Sequence, residues 1–237
     1  MPMQPVIQLF HLSKLYQITD QQIDALRGID LTILPGEFVT IVGQSGSGKS
    51  TLMNILGCLD VPTSGKYLLR GQDTGKMDDR QLSLIRNREI GFIFQGFNLI
   101  PSLDALENVE LPLIYRGIRE RERKALCTKA LIRVGLKNRI HHRPSEMSGG
   151  QQQRVAIARA IAASPSLILA DEPTGNLDRN SSREVLSLLD ELHQAGSTIV
   201  LITHDDSIAA SAKRCIRIED GKIVSDILSR QSKCAAG

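Results

Sequence analysis

The apolar positions of this 237-residue chain follow two different periods. Val6–Tyr16 alternates weakly and predicts a strand. Ile29–Leu34 alternates well and meets Pro35-Gly36, which predicts a strand closed by a turn. Phe38–Val42 is an unbroken apolar run, the pattern of a strand buried on both faces of a parallel sheet. Glycines follow at once, and then Leu52, Ile55 and Leu56 mark a helix. Ile90–Phe94 predicts another short strand. From about Asn98 to Ser164 the pattern is mostly helical, with Ala125, Leu126, Ala130, Leu131 and Val134 near helical spacing. Leu167–Ala170 and Thr198–Ile202 return to buried strands, separated by a helix with Val185, Leu186, Leu189 and Leu192 on one face that ends near Gly196. Cys215–Ile218 and Lys222–Val224 flank Asp220-Gly221, a strong hairpin signal.

Strand and helix in alternation imply an α/β core around a parallel sheet. The hairpin and the N-terminal strands add an antiparallel part, and no Gly/Ser/Pro-rich tether sets the helical stretch apart as a linked domain. Composition changes this picture little. Hydrophobic residues make up 41% and charged residues 23%, which argues for a globular chain rather than a disordered one. Twenty-nine Lys and Arg against 26 Asp and Glu leave a formal charge of +3, too small to call for a nucleic-acid partner. Met1–Phe10 has no basic segment followed by an apolar core, and the uncharged run Ala160–Ala170 is far short of the ~20 residues that span a bilayer. The four cysteines, Cys58, Cys127, Cys215 and Cys234, form no CxxC pair and are expected to be reduced thiols.

The chemistry begins after the buried strand. Gly43-Gln44-Ser45-Gly46-Ser47-Gly48-Lys49-Ser50 fits G-x-x-x-x-G-K-[ST]. Glycines let the backbone curl so that several N–H groups face phosphate oxygens, and the helix behind presents its positive end to the same place. Lys49 is expected to reach the β- and γ-phosphates, Ser50 to bind Mg²⁺, and Thr51 to follow in the first turn. A chance match in a chain this long has a frequency of about one in a hundred. A second apolar strand ends in Asp171-Glu172. Asp171 suits a metal shell, and Glu172 suits the polarisation of an attacking water, although acids after a strand also cap helices.

A phosphate loop alone leaves kinases, GTPases, helicases and transport ATPases open. Ser148-Gly149-Gly150-Gln151, followed by Gln152-Gln153-Arg154, narrows the choice, because it supplies a second group of helix-start N–H donors. The segment resembles the signature motif of ATP-binding cassette (ABC) ATPases. The resemblance covers about Ile7–Asp226 and departs at Met147, where leucine is usual. It implies a P-loop NTPase fold of the ABC cassette type: a parallel core sheet, an antiparallel β portion and a helical subdomain. The implied ATP-binding domain is 6–228, with a core of 6–95 and 165–228, a helical subdomain of about 96–164 and a flexible tail of 229–237. It further implies that Gln95 is the Q-loop glutamine meeting Mg²⁺, that Asp178 lies in the D-loop, that His204 is the switch histidine at the γ-phosphate, and that Tyr16 stacks on adenine. Glu172 and His204 would then be the catalytic pair, and Ser50, Gln95 and Asp171 the metal ligands.

Met53–Asp60, Pro62–Gly65, Phe92–Pro101 and Ala170–Asp178 are similar to the MacB/LolD branch of macrolide-export and lipoprotein-release ATPases. That resemblance implies ATP and Mg²⁺ as ligands and a head-to-tail pair of identical chains. It also implies a separate transmembrane permease with a large extracytoplasmic domain, at the cytoplasmic face of the membrane. A non-transport signalling complex of the cell-division kind, and a soluble ABC protein acting on ribosomes or DNA, are the alternatives. Glu107-Asn108-Val109 is a candidate docking segment for the permease, and Arg116–Lys124 reads as a solvated helix start.

Overall fold

The computed structural model describes residues 4–18, 21–209 and 212–228. In chain order the elements are β1 (Ile7–Ile18), β2 (Gln21–Ile33), β3 (Phe38–Val42), α1 (Lys49–Leu56), β4 (Ser64–Leu69), β5 (Gln72–Asp73), α2 (Asp79–Glu89), β6 (Ile90–Ile93), α3 (Ala105–Tyr115), α4 (Glu120–Arg133), α5 (Gly149–Ile161), β7 (Leu167–Asp171), α6 (Arg179–Gln194), β8 (Ile199–Thr203), α7 (Asp206–Ala209), β9 (Arg214–Glu219) and β10 (Lys222–Leu228). They fall into two compact units, Met1–Arg86 with Gly196–Gly237, and Asn87–Ala195. The expected tail, 229–237, lies outside the described residues. No helix among the described residues is long and apolar enough to cross a membrane.

The first unit is built around β3, whose five residues are all buried. It pairs in parallel with β8 on one side and β9 on the other. β10 closes this sheet by an antiparallel hairpin with β9, turning at Asp220 and Gly221, both with positive φ. That is the two-residue hairpin conformation the Asp-Gly pair favours. β1, β2, β4 and β5 form a separate antiparallel sheet in the order β2-β1-β4-β5. Arg214 ties the parts of the unit together. It grips both carboxylate oxygens of Asp226 at 2.8 and 2.6 Å, Glu37 at 2.9 Å and the Thr32 carbonyl at 2.8 Å.

In the second unit β6 and β7 pair in parallel and α5 packs on β6 and α3. Here one sequence expectation is corrected. Asn108 and Val109 are fully buried. Asn108 donates its amide to the carbonyls of Ile100, Leu103 and Asp104 and accepts from the Ile100 amide, so it folds the segment 100–104. Glu107 completes a capping box with Asp104 at the start of α3. The docking surface expected at 107–109 is therefore largely turned inward. In the basic tract Arg119–Glu122 and Lys124 form an exposed helix start, and Arg116 and Arg123 are half-buried. Arg116 donates to the carbonyls of Asn87, Arg88 and Ala163, and Arg123 lies against buried Glu110 at 3.4 Å.

Cys58 and Cys127 are free and buried. Cys215 is disulfide-bonded, so the expectation of a reduced thiol does not hold there, and Cys234 lies outside the described residues.

Candidate nucleotide site

The phosphate loop leaves β3 at Val42 and enters α1 at Lys49. Two glycines in it are obligatory for different reasons. A Cβ on Gly43 would lie 2.3 Å from the Ile218 carbonyl oxygen and 2.6 Å from Ser47 Oγ. Gly48, the residue before the helix, has φ +103° and would bring a Cβ to 2.5 Å from the Ala25 carbonyl. The loop is braced from behind by β2 and by the β9–β10 turn. Arg27 N donates to Gly221 O at 2.8 Å, and Gly221 N donates to Ser47 O at 3.0 Å.

Gly48, which has no side chain, makes no side-chain cap at the start of α1. The ammonium of Lys49 folds onto the loop and donates to the carbonyls of Gly43 and Gln44, each at 2.7 Å. Gln44, Ser45, Gly46 and Ser50 are exposed, and Ser47 is buried with no hydrogen-bond partner on its hydroxyl. Tyr16 on β1 is fixed to the same assembly. Its hydroxyl donates to Asp60 Oδ2 at 2.8 Å, and Asp60 N donates to Asn54 O of α1 at 3.2 Å. His204 is exposed and directly follows β8, whose Thr203 is the register partner of Val42. Gly43 and His204 therefore leave neighbouring parallel strands at the same, carboxyl end, where ligands of open α/β sheets bind.

The second unit holds the remaining predicted residues. Asp171 closes β7 and Glu172 follows with φ 45°. That left-handed conformation is costly for a non-glycine residue and is held by the turn bond from Gly175 N to Glu172 O at 3.0 Å. Gln95 lies two residues past the end of β6 and is bonded to the loop after Glu172. Its backbone oxygen accepts from Asn176 Nδ2 at 3.1 Å, and its side-chain amide lies 3.4 Å from Asn176 Oδ1.

Ser148 is the N-cap of α5, in a reciprocal capping box with Gln151. Gly149 and Gly150 occupy its first turn. A Cβ on Gly150 would lie 2.9 Å from the Cβ of Ser181 in α6. Ser181 in turn donates to Asp178, whose carboxylate caps α6 through the amides of Asn180 and Ser181. Those three hydrogen bonds, from the Ser181 hydroxyl and amide foremost, hold the Asp178 carboxyl below the usual carboxylate range. The carboxylate has a local duty at its own helix start.

For one central residue, named above only as part of the segment after Gln151, the sequence indicates no role. Gln153 is fully buried on α5 and donates its amide to Pro173 O at 2.6 Å, with Phe94 O at 3.4 Å. These carbonyls neighbour Glu172 and Gln95. The signal was a glutamine in register with buried Ile157 and Ala160 on one face of α5.

The fold and the loop define a P-loop nucleotide-binding protein of α/β type. The "ABC transporter" family profile matches residues 26–175. The chain is 53% identical over 228 residues to a macrolide export ATP-binding/permease protein MacB from Hyphomonas neptunium, covering 96% of this chain and 35% of that protein. It is 52% identical to an uncharacterized ABC transporter ATP-binding protein of Thermotoga maritima, covering 93% and 94%. Among solved structures, the dimeric bacterial ABC transporter cassette MJ0796 superposes with TM-score 0.86 at 44% identity, covering 95% of this chain and all of that one. The same cassette is known in a dimeric post-hydrolysis state bound to ADP and Pi, with equal similarity. The chain belongs to the ABC transporter family, as an ATP-binding cassette. It spans about a third of the length of the MacB relative.

Proposed function

We propose that this chain is the ATP-hydrolysing motor of an export or extraction system, with 6–228 as its ATP-binding domain. It acts with a second copy of itself and a membrane-spanning permease, at the cytoplasmic face of the membrane. The observation that carries the reading is the phosphate loop, where the start of α1 and the Lys49 ammonium converge on one backbone cradle. The names of the relatives, export ATP-binding/permease proteins, support the permease partner, and the dimeric cassette supports the second copy.

In this reading Tyr16 stacks on the base, the amides of Gly43–Thr51 and the Lys49 ammonium hold the phosphates, and Ser148–Gln151 of the second copy close on the γ-phosphate. Ser50, Gln95 and Asp171 offer hydroxyl, amide and carboxylate oxygens, a hard donor set that fits Mg²⁺. Bound there, the ion would neutralise phosphate charge. Glu172 accepts a proton as the water oxygen bonds to the γ-phosphorus. The bond to the β–γ bridging oxygen breaks, ADP leaves with that electron pair, and His204 steadies the γ-phosphate oxygens. Closure adds contacts that exist only between two copies with ATP between them, so hydrolysis favours reopening.

Complementation tests the shared site. Lys49→Ala and Ser148→Arg each inactivate a homodimer, because each damages both composite sites. Mixed, the two variants regain ATPase activity, since a heterodimer keeps one intact site. A mixture no more active than its components would contradict the head-to-tail arrangement.

A further inference from the structure

The ring of Tyr16 is held from several sides by groups that no part of the mechanism above uses. Lys14, two residues earlier on the same face of β1, donates to Asp60 Oδ1 at 2.6 Å and to Val61 O at 2.9 Å. Its Nζ lies 4.9 Å from the centroid of the Tyr16 ring, within range of a cation–π contact. The other oxygen of Asp60 accepts from the Tyr16 hydroxyl at 2.8 Å, and Asp60 Oδ1 also accepts from Val61 N at 2.7 Å. Lys14 and Asp60 keep only 12% and 26% of their side-chain surface exposed, so this pair is not the mobile surface kind.

The arrangement has two physical consequences. A tyrosine on a strand turns freely about two side-chain torsions, and each orientation lost before binding is entropy that binding need not supply. Here the hydroxyl is pinned by Asp60 while an ammonium occupies one side of the ring. Asp60 N donates to Asn54 O of α1 at 3.2 Å, so through Asp60 the ring is tied to the helix that carries the phosphate loop.

We infer that Asp60 and Lys14 are positioning residues that set the Tyr16 ring as a platform for the base, at a fixed distance from the phosphate cradle. Affinity for the base half of the nucleotide then depends on Asp60 through the ring it holds. The inference rests on the reading of Tyr16 as the base-stacking ring.

The protonation states agree with this geometry. Burial, with the Asp60 hydrogen bond and charge behind it, raises the phenol further above its ordinary value, so the hydroxyl stays a donor. Burial opposes ionisation of Asp60, but the hydrogen bonds from Lys14 and Tyr16 outweigh it and hold the carboxyl below its usual range.

The test compares ATP with inorganic tripolyphosphate, which carries the phosphates and no base, by titration calorimetry on the full chain. Asp60→Asn and Tyr16→Phe are expected to weaken ATP by about three- to tenfold while tripolyphosphate changes by less than about twofold. Added to Tyr16→Ala, Asp60→Asn is expected to have no further effect on ATP. Equal losses for both ligands in Asp60→Asn would show a merely structural role and overturn the inference. If Tyr16→Ala weakens ATP selectively and Asp60→Asn does not, the platform stands and the positioning role falls. If Tyr16→Ala leaves the ratio unaltered, the base-stacking reading itself is wrong and the inference falls with it.

Discussion

The side-chain amide of Gln153 donates to the carbonyl oxygen of Pro173 at 2.6 Å, from a position with no solvent exposure. The same nitrogen lies 3.4 Å from Phe94 O. One buried amide on the signature helix therefore holds the backbone beside Gln95 and beside Glu172. Gln153→Leu keeps the volume and strands both carbonyls. It is expected to cost about 1–3 kcal/mol of stability, read by urea denaturation. Turnover should fall at least about tenfold, because a catalytic carboxylate displaced by a fraction of an ångström loses its alignment. ATP affinity should change little. An unchanged kcat would separate Gln153 from the placement of Glu172.

Gly43 offers a sharper steric test. A Cβ there would sit 2.3 Å from a backbone oxygen of β9, which cannot swing aside as a side chain can. Gly43→Ala is expected to reshape the loop, weaken ATP by more than about tenfold and lower the melting temperature. Calorimetric titration and a thermal melt measure the two effects. Wild-type affinity in this variant would mean that the loop yields more easily than the sheet behind it suggests.

Cys58 and Cys127 are expected to be chemically silent in the folded protein. Burial pushes each thiol up to about 12, with Arg86 partly opposing the shift at Cys58 and Glu110 adding to it at Cys127. At pH 8 the thiolate fraction is then on the order of one in ten thousand, and the thiolate is the form that reacts. Iodoacetamide at pH 8 followed by peptide mass mapping should find both unmodified in the native state and both alkylated in urea.

Much of the fold could be read from the chain because its buried strands are apolar throughout. Phe38–Val42 emerges with the expected bounds, and the Asp220-Gly221 pair turns as its residues demand. The first half of β2 gave no such signal. Its positions 21–24 are all exposed, so neither face carries an apolar stripe, and only the stretch near Ile29–Leu34 alternates. α2 was equally silent, because Leu82 and Ile85 are its only buried residues. The phosphate loop, the acid pair and the signature were legible because their chemistry constrains residue type and spacing together. Asn108 and Gln153 were not. Each is a polar residue spent on backbone carbonyls, Asn108 on the turn just before its own helix and Gln153 on two segments far along the chain, and hydrophobic patterning does not carry that information. The same blindness put Asn108 and Val109 on an expected docking surface when they lie inside.

The central claim is that ATP joins two copies of this chain and that Glu172 is the group whose chemistry releases them. Glu172→Gln keeps the shape of the side chain and removes its capacity to take the proton. The most direct measurement is light scattering of that variant after size exclusion, with and without Mg-ATP. The account predicts the mass of two chains with ATP and of one chain without it, and a wild-type protein that remains monomeric as it turns ATP over. A variant that binds ATP yet stays monomeric, or that hydrolyses ATP at the wild-type rate, would contradict it.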